Sequence, residues 1–204
     1  MNENLSLTHE ELLICERLRS LRMSGMADAF ESQMLDPNAD LAPFVERFTE
    51  IVNHEWQIRY DKKFKRYLKQ AHLRYPDADL DETIYDPARK LDTAVIERLA
   101  TCHWIDEGKN LLITGMTSSG KTHLSNALCI SALRQLKTVR YIRANTLMLE
   151  LEQARLKSTY LEYVTALSKL DLLAIDDFGL MELDLDKCRD LFEVIDGRDG
   201  RRST

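Results

Sequence analysis

Apolar residues recur at intervals of three and four through the first 75 positions, and the helices this predicts have recognisable ends. Thr8-His9-Glu10-Glu11 has the form of a capping box, in which a threonine hydroxyl and a glutamate three residues later satisfy each other's free backbone amides. A helix starts there, with Leu12, Leu13, Leu18 and Leu21 as its apolar face and Gly25 as its C-terminal stop. A short helix from about Met26 to Leu35, with Ala29, Phe30 and Met34 inward, ends at Asp36-Pro37-Asn38. Pro43 suits the first turn of a long helix reaching about Leu73. Phe44, Phe48, Ile51, Val52, Trp56, Tyr60, Phe64, Tyr67 and Ala71 recur along that helix at the spacing of one face. The stripe Trp56, Tyr60, Phe64, Tyr67 reads as core rather than as a platform for stacked bases. Beside it lie Arg59, Lys62, Lys63, Lys65, Arg66, Lys69 and Arg74, a solvated face or a set of phosphate contacts.

The pattern changes after residue 75. Segment 76–87 is acidic and bounded by prolines, and no proline follows it. The division this implies is a helical module over 1–75, an acidic linker over 76–90 and an α/β domain over 91–204. In the last part, Val95, Ile96 and Leu99 mark a helix leading to His103-Trp104-Ile105 and a turn at Gly108. Next come a strand over 111–115, a helix to about Leu136 and a strand over 139–144, a βαβ unit. Helices fill 145–168. An apolar strand over 170–175 ends at Asp176-Asp177, and a helix spans about 184–196 with Cys188, Leu191, Phe192 and Ile195 inward.

The turn inside the βαβ unit carries the chemistry. Gly115-Met116-Thr117-Ser118-Ser119-Gly120-Lys121-Thr122 has the form G-x-x-x-x-G-K-[ST], followed by His123. Glycines let the backbone turn tightly and bring its N–H groups against phosphate oxygens, and the next helix adds its free amides and positive dipole end. Lys121 is placed to reach the β- and γ-phosphates of a nucleoside triphosphate, and Thr122 to ligate Mg²⁺. Ser118 stands where a glycine is common, and its side chain narrows the allowed torsions. His123 is expected to pack under the loop. His103 and Trp104 are expected at a domain interface rather than at the base of the nucleotide.

About fifty residues further on, an apolar strand ends in Asp176-Asp177, as a Walker B element does. Ligands of open α/β sheets bind at the C-terminal ends of the strands, so Asp176 is placed to hold Mg²⁺ with Thr122. Asp177 is placed to orient or deprotonate an attacking water. Glutamate is more usual there, and the shorter side chain makes nucleotide binding the safer expectation than fast turnover.

Composition bounds the rest. The net charge of −6 excludes a general polycation, while leaving room for a local basic patch such as Arg140, Arg143, Arg155 and Lys157. Cys15, Cys102, Cys129 and Cys188 have no metal or disulfide spacing, which reads as reduced thiols in a cytoplasmic protein. Neither a secretory signal nor a membrane span is visible.

Taken together, the chain resembles the IstB-like transposition helpers of the AAA+ ATPases, close to DnaC-type helicase loaders. The resemblance rests on Leu18-x-x-Leu21-x-x-x-Gly25-Met26-Ala27, Phe44-x-x-Arg47-Phe48, Trp104-Ile105 and 110–115. It continues through 120–124, 172–179 and 191–196. It implies a P-loop NTPase core with a parallel sheet behind an all-α N-terminal module, and a homo-oligomeric ATPase that binds ATP and Mg²⁺ on duplex DNA and assists a transposase. A helicase loader and an inactive fragment keeping only a helical interaction module are the alternatives. In relatives, the residues following the position of Thr204 form a fourth strand between the phosphate-loop strand and the Asp176 strand, then supply sensor residues and an arginine finger. The chain therefore looks C-terminally truncated. The expectation is that those two strands pair directly or stand apart by about one strand spacing, roughly 4.8 Å, with a distorted nucleotide site.

Overall fold

A computed structural model describes residues 6–82, 91–180 and 184–204. The chain divides into two compact units, Met1–Lys63 and Phe64–Thr204.

In the first unit, helix α1 (His9–Ser20) opens on the capping box read from the sequence. The Thr8 amide donates to Glu11 at 2.7 Å and the Glu11 amide to the Thr8 hydroxyl at 3.4 Å. Helix α2 (Ser24–Met34) follows after a short turn, so Gly25 is not a helix stop but lies in the first turn of α2. A Cβ there would sit 2.7 Å from Ile58 Cδ1 and 2.9 Å from Glu55 Oε2, so glycine is required by close approach. The buried apolar residues are few: Cys15, Ala27 and Ile51. Leu12, Leu13 and Leu21, expected inside, are exposed. Helix α3 (Phe44–Ala71, 28 residues) contributes residues to both units. Its aromatic stripe is not continuous core: Phe44, Phe48 and Trp56 are exposed, and the Phe44–Phe48 and Trp56–Tyr60 rings stack on each other.

The second unit takes in the last turns of α3, whereas the helical module of the sequence reading runs to residue 75. Phe64, Tyr67, Leu68 and Ala71 pack with Cys102, Ile105, Cys129, Leu133, Val139 and Leu172. The stretch after α3 lies on helix α6 (Lys121–Arg134), with Ala78 against Ala127 and Ile130 and Asp79 paired to Arg134 at 2.6 Å. The remainder of the expected linker, 83–90, lies outside the described residues.

Strands β1 (Val139–Arg143) and β2 (Leu172–Asp176) pair in parallel, with Tyr141 opposite Ala174 and Arg143 opposite Asp176. Alternation along the strands feeds two cores. Val139 and Leu172 face α6, the last turns of α3 and the short helix α5 (His103–Asp106), while α4 (Thr93–Ala100) packs on α6. Ile142 and Leu173 face α7 (Ala144–Leu156), α8 (Tyr160–Ser168) and α9 (Leu185–Asp196). A parallel sheet covered on both faces is the α/β class expected. On α9, Leu191 and Val194 are buried, while Cys188 and Phe192, expected inward, are exposed. None of the described helices is long and apolar enough to cross a membrane.

Residues 111–115 do not form the expected strand. Among the described residues, Ser203 and Thr204 lie in the place beside β2. Leu173 donates to the Ser203 carbonyl at 3.1 Å, Ser203 to Asp171 at 3.2 Å and Leu111 to Thr204 at 3.0 Å. Residues 111–115 therefore do not pair with β2, and Leu112 among them is 80% exposed. Arg198 fixes the final turn, as its guanidinium reaches the carbonyls of Leu167, Leu170 and Ser203 and the Thr204 hydroxyl.

Candidate functional site

Gly120 is the residue that turns the loop into α6. Its φ of +91° lies where side chains are strained, and glycine removes that cost. Ser118 adopts φ +63°, so the torsional narrowing expected of a serine falls in the left-handed region. Residues 115–120 are exposed. The Lys121 ammonium bends back into the loop and donates to the carbonyls of Gly115 at 2.9 Å and Met116 at 2.7 Å.

Thr122, in the first turn of α6, meets Asp176 at the end of β2. Its hydroxyl lies 3.0 Å from Oδ2 and 3.3 Å from Oδ1. Two hard oxygen donors 54 positions apart in the chain are thus brought within one hydrogen bond of each other. No cluster of three or more His, Cys, Asp or Glu side chains fit to hold a metal exists among the described residues. A divalent ion held by Thr122 and Asp176 would take its remaining ligands from phosphate and water oxygens.

Asp177 does not join this pair. It adopts φ +56°, and its carboxylate lies 3.7 Å from the Arg143 guanidinium. His123 packs beside Tyr75, ring centroids 6.1 Å apart. Trp104 belongs to the core, its indole N–H donating to Leu99 at 3.0 Å, and His103 is exposed. Of the weaker basic candidates, Arg140 pairs with Glu150 at 3.2 Å, Arg143 with Asp177 and Arg155 with Asp190.

Two site residues escape a motif search. Tyr141, 6% exposed, donates its phenol hydrogen to Asp176 Oδ2 at 2.5 Å, and burial together with that carboxylate pushes its pKa up. Asn126 is fully buried one turn beyond Thr122. It accepts from the Arg74 and Tyr75 amides at 3.0 and 3.2 Å and donates to the Thr122 carbonyl at 2.7 Å. The only sequence signals are the alternation that places Tyr141 on the same strand face as Val139, and the four-residue step from Thr122 to Asn126. Asn126→Ala leaves two amides without their acceptor and is expected to destabilise this unit by about 2–3 kcal/mol. The urea midpoint, with hydrogen exchange at residues 74 and 75, measures it.

A glycine-hinged loop, a lysine and threonine at a helix start, and an aspartate at the end of a parallel strand define a P-loop type of nucleoside-triphosphate-binding domain. Residues 16–204 match the family described as IstB-like ATP binding protein, and the chain belongs to that family. It is 38% identical over 188 residues to an ATP-binding protein, so named, of insertion sequence IS1162 from Pseudomonas fluorescens, covering 92% of this chain and 81% of that one. It is 33% identical to a protein named for the same role in Sinorhizobium fredii, covering 93% and 77%. With the one named for insertion sequence IS21 of Pseudomonas aeruginosa it shares 22% identity, covering 93% and 70%.

Proposed function

We propose that this chain binds ATP with Mg²⁺ and acts in the cytoplasm as a DNA-associated helper ATPase of a transposase. The meeting of Thr122 with Asp176 beside Lys121 carries the nucleotide half of this reading. The insertion-sequence context of the relatives supports the transposition half. In this assignment residues 115–123 hold the triphosphate, with Lys121 bonding the β- and γ-phosphates, while Thr122 and Asp176 hold the cation. Bound Mg²⁺ would neutralise phosphate charge. Asp177 is assigned the attacking water, a role for which it must leave Arg143. Duplex DNA, a transposase and further copies of the chain are the assigned partners.

Nucleotide binding without turnover is the second reading, favoured by the pairing of Asp177 with Arg143 and by the absence of a strand over 111–115. A fluorescent-ATP titration with Mg²⁺ tests the core of the proposal. Lys121→Ala removes a charge-assisted hydrogen-bond donor, so affinity is expected to fall about 10- to 100-fold. Equal affinity in both proteins overturns the site assignment. Phosphate release on duplex DNA separates an active helper from a binder, and failure to bind duplex DNA at low salt removes the DNA role. A preference for single strands and capture of a replicative helicase would favour a loader instead.

A further inference from the structure

Tyr141 lies on β1, in neither the phosphate loop nor the aspartate motif. Strand alternation puts it on the face shared with Val139, two residues and about 6.6 Å nearer the C-terminal end of the sheet, where α6 begins. The residue is largely buried, only 6% exposed. That hydroxyl donates to Asp176 Oδ2 at 2.5 Å, the oxygen that also lies 3.0 Å from Thr122 Oγ1. A phenylalanine would fill the same space, so what the tyrosine adds is one donor on one carboxylate oxygen.

We infer that Tyr141 is a positioning residue for the cation half of the site: its phenol fixes the Asp176 carboxylate over Thr122. This rests on the nucleotide-binding reading given above. A carboxylate at a strand end turns about two side-chain bonds, and in water each turn is cheap. A buried donor on Oδ2 removes that freedom from the β1 side, while α6 contributes the Thr122 hydroxyl from the other. The phenol also draws charge from Oδ2, which weakens the carboxylate as a direct ligand and favours contact through a water. Thr122 can donate to Asp176 and still offer an oxygen lone pair to a cation. The hydrogen bond of the phenol goes to Asp176, whereas Lys121 bonds the loop carbonyls, so the phenol acts on cation binding and not on the phosphate contacts.

Tyr141→Phe separates these effects. Fluorescent-ATP binding is measured in EDTA and across a Mg²⁺ titration, for wild type, Tyr141→Phe, Asp176→Asn and the double variant. In EDTA, Tyr141→Phe is expected to bind as wild type does. The Mg²⁺ concentration giving half of the added affinity is expected to rise about tenfold, the usual effect of removing a group that orients a metal ligand. In the double variant it is expected to match Asp176→Asn alone, because a residue acting through Asp176 has nothing left to act on. An unchanged Mg²⁺ midpoint, an equal loss in EDTA, or losses that add in the double variant each overturn the inference while leaving the nucleotide site standing. No binding by the wild-type chain overturns the nucleotide reading and this inference with it.

Discussion

Arg198→Met is expected to cost the C-terminal unit about 3–5 kcal/mol, a large part of the 5–15 kcal/mol that typically holds a domain together. The guanidinium has no exposed surface. Its Nε donates to the Thr204 hydroxyl at 3.0 Å, one Nη to the carbonyls of Leu167 and Leu170, the latter at 3.1 Å, and the other Nη to Ser203. Burial, with Arg202 nearby, lowers its pKa to about 10, so it stays charged at neutral pH. Methionine fills the volume and removes the buried charge, but it takes away every bond the guanidinium makes to three carbonyls and a hydroxyl. Leu167 and Ser203 keep backbone donors, so the loss falls mainly on the Leu170 carbonyl, on the Thr204 hydroxyl and on the cross-links themselves, and that loss dominates. Lysine restores the charge without the planar fork and should recover only part of the stability. The urea midpoint followed by Trp104 fluorescence, at unchanged slope, is the measurement. A loss below about 1 kcal/mol would mean that water takes over the four acceptors.

The second large effect belongs to the N-terminal unit. Glu55→Ala is expected to cost it about 2–4 kcal/mol. Helix α2 starts without a side-chain cap of its own, and the first amides of any helix lack partners within it. Glu55, 8% exposed on α3, accepts from the Gly25 and Met26 amides at 2.7 and 3.2 Å. Arg59 holds its other oxygen at 2.5 Å and reaches the Arg22 carbonyl at 2.9 Å. Burial alone would raise the Glu55 pKa, but Arg59 and the two amides outweigh it and leave the value lowered. A lowered folded pKa means that the stabilisation is full above the unfolded value, near 4.3, and is lost as pH falls through the folded one. Hydrogen exchange at residues 25 and 26 should therefore accelerate in Glu55→Ala at neutral pH and in the wild type under acid. Glutamine, which keeps an acceptor, should fall between the two.

What could be read in advance was local. The capping box at Thr8, the helix start after Gly120 and the strand ending at Asp176 are short segments whose signals are complete within a few residues, and each forms where the pattern placed it. What could not be read depends on contacts across the chain. Gly25 looks like a helix stop until α3 is seen pressing on it. Residues 111–115 read as a strand until Ser203 and Thr204 are seen in the place beside β2, with Leu111 donating to Thr204. Phe192 shares the helical spacing of Leu191 and Val194 closely enough to pass for core, yet Leu191, Val194 and Ile195 join the core on the α7 side of the sheet and Phe192 does not. Tyr141 and Asn126 carry no motif, since their importance comes from which oxygen or amide the fold sets before them.

The hold of Lys121 on its own loop bears on how a polyanion is admitted. Two carbonyl oxygens, from Gly115 and Met116, face the ammonium, and the same oxygens would repel a phosphate. On the proposed site, entry would be an exchange rather than an addition, with the lysine giving up two carbonyls for phosphate oxygens. The affinity of such a loop would then be a difference between two sets of bonds to one cation.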